Sequence, residues 1–138
     1  MSLGREVVEK ASKMGIELPA EAQVLFDKHA ALLDEWNQQL NLTRVPREEM
    51  ADKHFLDSLS VLLVPGVREA GKVVDIGSGA GFPGIPLKIA CPHVEMALVD
   101  SLGKRVKFLE AVVTNLGLAD VVCYHARAEE VGREPGHR

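Results

Sequence analysis

The stretch VVDIGSGAGFPGIP, Val73 to Pro86, consists of a short apolar run, one carboxylate and then glycines at every second position. The apolar run predicts a buried strand, and the glycines directly after it predict a sharp turn. At the end of a strand in a parallel sheet, glycines let the backbone approach a ligand closely while helix N–H groups point at it. Pro83 and Pro86 suit the first turn of the helix that follows. The stretch therefore predicts a strand, a loop that admits a ligand, and a helix.

The residues before position 71 are predicted to form a small helical region. Apolar residues recur there at intervals of three and four, the spacing of one helix face. A short helix should end at Gly15, a second should run from Pro19 to about Asn41, and a third from Pro46 to about Leu62. The apolar face of the second helix is expected to consist of Ala22, Leu25, Phe26, Leu32, Leu33, Trp36 and Leu40.

Residues 71–138 follow a different pattern, in which short apolar runs alternate with helical stretches. After the run that begins at Val73, similar runs occupy 96–99 and 121–124. Strands that alternate with helices at this spacing predict a parallel sheet, so the fold class is α/β. The helix between the second and third runs should end at Gly117, with an apolar stripe of Leu102, Val106, Leu109, Val113 and Leu116. The chain thus divides into a helical region, 1–70, and an α/β region, 71–138.

The composition is that of one globular domain. Of the 138 residues, 46% are hydrophobic and 26% are charged. No run approaches the roughly 20 apolar residues of a membrane span, and the start of the chain lacks the apolar core of a signal peptide. We therefore expect a cytoplasmic monomer with no membrane partner and no metal. Cys91 and Cys123 lie outside any C-x-x-C pattern and are expected to be idle thiols.

The residues around the glycines distinguish between two kinds of ligand. A dinucleotide-binding loop reads G-x-G-x-x-G, but its final glycine would fall at Phe82, and the pattern here is D-x-G-x-G-x-G. Asp75 at the strand end would repel a pyrophosphate and attract an ammonium or a sulfonium. S-adenosyl-L-methionine carries both of these cations near its reactive methyl group. The pattern therefore predicts an S-adenosylmethionine site at Asp75, Gly77, Ser78, Gly79 and Gly81, although a purely structural loop is an alternative.

Two further segments fit the same cofactor. Asp100 ends the second strand, where a carboxylate can accept hydrogen bonds from both ribose hydroxyls. The alternative is that Asp100 caps the next helix, but Ser101 is placed to cap it equally well. After the third strand, the segment from Ala126 to Glu130 lies where the adenine of such a cofactor is usually held.

Several segments resemble, in order and spacing, the small-subunit ribosomal RNA methyltransferase G family, also called glucose-inhibited division protein B. These segments are WNQQLNLTR (36–44), HFLDSL (54–59), VVDIGSGAGFPGIPLKIACP (73–92), LVDSLGKRVKFL (98–109) and ARAEE (126–130). The resemblance covers nearly the whole chain. The GFPGIP loop together with the DSLGKRVKFL block is far more specific than a generic methyltransferase loop.

The resemblance implies a Rossmann-like class I methyltransferase fold and methyl transfer from S-adenosylmethionine to N7 of one guanine in 16S rRNA. The cofactor contacts that it implies are Gly77, Phe82, Ala128 and Glu129, beside Asp75 and Asp100. Guanine N7 has a free lone pair and no proton, so the transfer needs no general base. Alignment of the reacting atoms supplies most of what an enzyme can add. We therefore assign no catalytic residue.

The sequence departs from that family in its number of strands. A complete fold of this type has seven strands, and the sequence predicts three, which would form one half of the sheet. The first strand, normally central, would then be an edge strand. We expect an N-terminal portion that does not methylate RNA efficiently by itself. One alternative is a fragment that binds S-adenosylmethionine or RNA without turnover. Another is a dinucleotide-dependent oxidoreductase, which Phe82 and Asp75 disfavour.

Contacts with RNA are expected from a local basic cluster, because the formal net charge of −4 does not favour nucleic acid. Lys104, Arg105 and Lys107 follow Asp100, with Lys88 and Arg127 expected nearby. Such a cluster neutralises phosphates even on an acidic protein. The alternative is an ordinary solvated helix face.

A polar cluster is also predicted on the third helix. His54, Asp57 and Ser58 share one face at three- and four-residue spacing. We favour a hydrogen-bonded brace to the α/β region over direct contact with RNA.

Overall fold

The structure is a computed structural model that describes residues 2–127. Two helices open the chain, α1 (Leu3–Lys13) and α2 (Ala22–Leu40). A mixed helical segment follows, built from a 3-10 turn (Arg47–Glu49), a π-helical stretch (Ala51–Leu56), one α-helical turn, α3 (Asp57–Leu59), and a second 3-10 turn (Ser60–Leu63). The rest alternates strands with helices: β1 (Lys72–Ile76), α4 (Gly84–Ala90), β2 (Glu95–Asp100), α5 (Gly103–Leu116) and β3 (Val121–His125).

The three predicted strands form one parallel sheet in the order β1-β2-β3. Asp75 lies opposite Leu98 in the register, and Leu98 lies opposite Cys123. Within the described residues, β1 pairs only with β2, so the prediction of an edge strand is confirmed. Val74 and Ile76 on this strand are 43% and 51% exposed. Because the strands are parallel, their carboxyl ends meet at one edge, where Asp75 and Asp100 are located.

The helical and α/β regions share one hydrophobic core. Phe26 and Leu33 from α2 belong to the same buried cluster as Leu98 from β2 and Phe108 from α5. The indole of Trp36 packs edge-on against Phe108, with ring centroids 5.7 Å apart. Within the described part of the chain, no helix has both the length and the apolar character needed to cross a membrane.

Three details of the predicted helices are wrong. α2 begins at Ala22 rather than Pro19, because the Pro19 carbonyl only closes a turn with the Ala22 amide. The third helix is not one α-helix but the mixed segment, since packing rather than spacing decides the type of each turn. Leu102 lies before α5 and is 51% exposed, so it does not join the apolar stripe.

The buried face of α2 is also rotated relative to the prediction. Its buried residues are Ala22, Phe26, His29, Ala30 and Leu33. The other predicted members of the face are only half-buried at its margin, namely Leu25, Leu32, Trp36 and Leu40. His29 and Ala30 are the two buried residues that the predicted face did not include.

Candidate functional site

The loop between β1 and α4 has the backbone conformation that its glycines predict. Gly77, Gly79 and Gly81 have φ values of 77°, 52° and 96°, a region that side chains other than glycine rarely adopt. The Gly77 amide donates to the Val99 carbonyl at 2.7 Å, which ties the loop to β2. No heavy atom lies within 4 Å of the position a Cβ would take on Gly77, and the nearest to that of Gly79 is 3.9 Å away. The backbone at these two glycines is therefore open to close approach by a ligand.

Asp75 lies beneath this loop and is 8% exposed. Its Oδ2 atom accepts a hydrogen bond from the Gly84 amide at the start of α4, at 2.9 Å. The Ser78 hydroxyl donates to the Asp75 backbone carbonyl at 2.9 Å. Burial raises the pKa of the Asp75 carboxyl, the hydrogen bonds from Gly84 and Ser78 oppose this, and the charge of Asp100 adds to it. A cation beside Asp75 would offset both the desolvation of its carboxylate and the repulsion from Asp100.

Asp100 faces the same loop from the end of β2 and is 2% exposed. Its Oδ2 accepts from the Gly79 amide at 2.9 Å, and its Oδ1 accepts from the Leu102 amide at 3.0 Å. The Arg105 guanidinium is 4.0 Å from the Oδ1 atom. Asp100 thus serves the start of α5, the alternative kept open from the sequence, while Ser101 is exposed. A carboxylate oxygen can accept two hydrogen bonds, and each oxygen of Asp100 accepts one here, so both could also accept from a ligand hydroxyl.

Phe82 lies between two histidine rings contributed by the helical region. Its ring centroid is 4.8 Å from that of His29 on α2 and 4.4 Å from that of His54, with both pairs stacked. The His54 Nε2 atom is 2.6 Å from the Thr43 hydroxyl oxygen. The predicted hydrogen-bonded brace is therefore wrong in its mechanism. His54 contacts the loop by ring stacking, whereas its Nε2 contact with Thr43 and the hydrogen bond from the Ser58 hydroxyl to the His54 carbonyl stay within the helical region. A cavity of about 190 Å³ lies between His54, Asp57, Ser58 and Phe82.

His29 is the site residue that sequence reasoning missed. The side chain is 0% exposed, and its Nε2 atom lies 2.9 Å from the Ala80 carbonyl oxygen in the glycine loop. The available signal was its position on α2, between Phe26 and Leu33 on the buried face. Hydrophobic periodicity is counted on apolar residues only, so it does not detect a histidine that lies on a buried face.

The burial of His29 predicts that stability falls at acid pH. Burial lowers the pKa of His29 to about 4, against 6.5 in the unfolded chain. The unfolded state therefore binds the extra proton between these values, and stability decreases as the pH falls through that window. Urea unfolding of the parent at pH 7 and 4.5 should show a loss of about 2 kcal/mol from this group.

The matched variant is His29→Phe, which has no group to protonate at that position. Burial also lowers the pKa of His54 and raises that of Asp75, so titration of these groups also changes the stability of the parent with pH. Both groups are present in the variant as well. The acid loss should therefore be smaller in the variant, and an identical loss in both would contradict the assignment to His29.

The predicted basic cluster is only partly assembled. Lys104 and Lys107 are exposed and line a cavity of about 240 Å³ with Trp36 and Gln39, while Arg105 is half-buried beside Asp100. Lys88 does not belong to the cluster, because it is 2% exposed. Its ammonium donates to the Pro92 and Val94 carbonyls, and burial lowers its pKa. Arg127 is exposed at the end of the described chain.

The predicted adenine segment begins at the described end of the chain. The Ala126 amide donates to the Asp100 carbonyl at 3.1 Å, which places the start of the segment next to the glycine loop. Ala128 and Glu129 lie outside the described residues.

Comparisons with known proteins point to one family. A family model for rRNA small subunit methyltransferase G matches residues 22–137. A protein of Thermoanaerobacter sp. (strain X514) named ribosomal RNA small subunit methyltransferase G is 45% identical over 133 residues, or 96% of this chain and 55% of the relative. A protein of the same name from Alkaliphilus metalliredigens (strain QYMF) is 52% identical over 108 residues, or 78% of this chain and 45% of the relative. The chain spans about half the length of the curated relatives it matches.

Proposed function

This chain belongs to the rRNA small subunit methyltransferase G family, and from that premise we propose that it carries the S-adenosylmethionine site of a 16S rRNA guanine-N7 methyltransferase. Within the proposal, residues 71–138 bind the cofactor and residues 1–70 support them. The cofactor would supply an electrophilic methyl group. This chain's residues would hold the cofactor and exclude water from the reacting atoms.

One observation carries the proposal: two carboxylates face a glycine loop whose backbone is open. Asp75 is almost fully buried, and the charge of Asp100 adds to the cost of ionising it. A cationic ligand offsets this cost, whereas a pyrophosphate would increase it. The open backbone at Gly77 and Gly79 would admit the rest of the cofactor. The donor set therefore fits S-adenosylmethionine better than a dinucleotide.

We place the RNA contacts on Lys104, Arg105 and Lys107. Lys104 and Lys107 are exposed on α5, and they share a cavity with the indole of Trp36 on α2. Ammonium groups neutralise phosphates, and an aromatic face stacks on unpaired bases. This arrangement supports 16S rRNA or the small ribosomal subunit as the partner. Because guanine N7 carries no proton, none of these groups needs to act as a base.

The proposal is tested by calorimetry of the 138-residue chain with S-adenosylmethionine and with NAD, followed by an assay for 7-methylguanosine in 16S rRNA. We expect the methyl donor to bind at least about tenfold more tightly than NAD. Binding without product would favour the alternative of a fragment that binds S-adenosylmethionine without turnover. Tighter binding of NAD would overturn the proposal in favour of an oxidoreductase.

A further inference from the structure

We infer that His29, from outside the α/β region, is a positioning residue that holds the glycine loop in the shape that receives the cofactor. The inference rests on the proposed function for the identity of the ligand. It concerns a residue of α2 that touches three consecutive loop residues, Ala80, Gly81 and Phe82. Neither the sequence motifs nor the apolar pattern of the chain assigns it a role.

The first observation is the hydrogen bond between His29 and the loop backbone. A carbonyl oxygen only accepts, so the Nε2 atom, 2.9 Å from the Ala80 oxygen, carries the proton and donates. The other ring nitrogen, Nδ1, is buried and has no hydrogen-bond partner. An unpaired buried acceptor destabilises the fold, and a phenyl ring of similar shape would avoid that cost. The imidazole is therefore unfavourable for packing alone, and its distinct contribution is the bond to Ala80.

The second observation is the close fit of the loop around the imidazole. A Cβ built on Gly81 would lie 3.0 Å from His29 Nε2 and 2.9 Å from Ile85 Cγ1. Gly81 is therefore required both by its φ of 96° and by the approach of this ring. The next residue, Phe82, stacks on the same imidazole at 4.8 Å. The His29 side chain thus bonds the Ala80 carbonyl, packs against the Gly81 backbone and stacks on the Phe82 ring.

The consequence concerns the conformational freedom of the loop. Glycines on both sides of Ala80 offer little resistance to rotation of its peptide group, since each adopts many backbone conformations. The Gly79 amide also donates to Asp100, and the Gly81 amide donates to the Ser78 carbonyl at 2.8 Å. The bond from His29 is therefore an additional restraint on the Ala80–Gly81 peptide group. Without it, this peptide group would be held less firmly, and a ligand would have to order it on binding. His29 thereby lowers the entropic cost of cofactor binding without touching the cofactor.

Three variants separate positioning from packing. His29→Phe keeps an aromatic ring but has no donor, whereas His29→Gln keeps a donor at similar reach but has no ring. Phe26→Leu is the matched control, because Phe26 is equally buried on α2 and packs on Phe55 rather than on the loop. For each variant we would measure the Kd for S-adenosylmethionine, the Tm, and hydrogen exchange of the loop amides without ligand.

Opposite rankings of stability and affinity are expected. His29→Phe should keep a Tm near that of the parent, bind about tenfold more weakly and exchange faster at Gly81. His29→Gln should have the lower Tm but bind within about threefold of the parent. Phe26→Leu should lower the Tm and leave the Kd unchanged.

The inference is overturned if His29→Phe binds and exchanges like the parent, or if the Kd follows the Tm across all three variants. If the parent itself does not bind S-adenosylmethionine, the proposed function fails. In that case the exchange of the loop amides without ligand still decides whether His29 holds the loop, so the two failures are distinguishable.

Discussion

Replacement of Gly84 by alanine is expected to lower the free energy of unfolding by about 3 kcal/mol and to abolish tight cofactor binding. Gly84 is the first residue of α4, directly against the sheet. A Cβ at this position would lie 2.5 Å from Leu98 Cδ2 and 2.6 Å from Asp75 Oδ2. Leu98 and Asp75 are both buried, so neither has free space to move into. The helix must therefore shift away from the strand, and the bond from the Gly84 amide to Asp75 must lengthen.

Helix propensity predicts the opposite sign for this substitution, which makes the result informative. Alanine in place of glycine favours a helix by about 1 kcal/mol when nothing opposes it. Gly103→Ala is the matched control, since Gly103 is likewise the first residue of a helix that follows a strand. The nearest atom to its Cβ would be 3.5 Å away, an ordinary contact. Urea unfolding should show Gly103→Ala close to neutral. Equal stability of the two variants would show that α4 does not pack as closely as described.

Local patterns in the sequence were enough to predict the sheet and the loop. The apolar runs that begin at Val73 and Val121 became strands, and the glycines at 77, 79 and 81 adopted positive φ. These features depend on residues adjacent in the chain, where backbone sterics and alternation of burial act directly. The order β1-β2-β3 also follows from short parallel crossovers.

The partners of several polar side chains depend on the folded conformation and were not predictable. Lys88 is predicted to lie near the basic cluster, but it is buried and its ammonium donates to carbonyls of the α4–β2 connection. The contact between His29 and Ala80 joins residues 51 positions apart. Asp100 accepts from the Leu102 amide, as the cap alternative expects, and its contact with a ribose stays a prediction. In these cases the conformation of the chain, and not the residue type alone, decides which partner a polar side chain has.

The two carboxylates at the loop show how structure and proposed function combine. Both Asp75 and Asp100 accept hydrogen bonds from backbone amides, so each already stabilises the fold. The neutral side-chain oxygen of an asparagine can also accept a hydrogen bond from a backbone amide. The fold alone therefore does not require a negative charge at these positions. Burial of the Asp75 charge destabilises the unliganded protein, and a cationic ligand would offset this effect.

Asp75→Asn is accordingly expected to fold like the parent and to bind S-adenosylmethionine about 30-fold more weakly, a loss of about 2 kcal/mol. The asparagine Oδ1 atom can still accept the hydrogen bond from the Gly84 amide, so the start of α4 is retained. Calorimetry with S-adenosylhomocysteine, which lacks the sulfonium charge, should show a smaller loss. The preference of the protein for the charged ligand over the neutral one should therefore decrease in the variant.

Asp27→Asn is the matched control for loss of one carboxylate. Asp27 also accepts an amide from the first turn of a helix, that of Gly4 in α1, at 2.7 Å. It carries the same formal charge but serves α1 rather than the loop, so its removal should leave both ligand affinities unchanged. If the two variants bind S-adenosylmethionine alike, the overall charge of the protein accounts for the effect. If Asp75→Asn binds as tightly as the parent, negative charge at the end of β1 does not select the ligand.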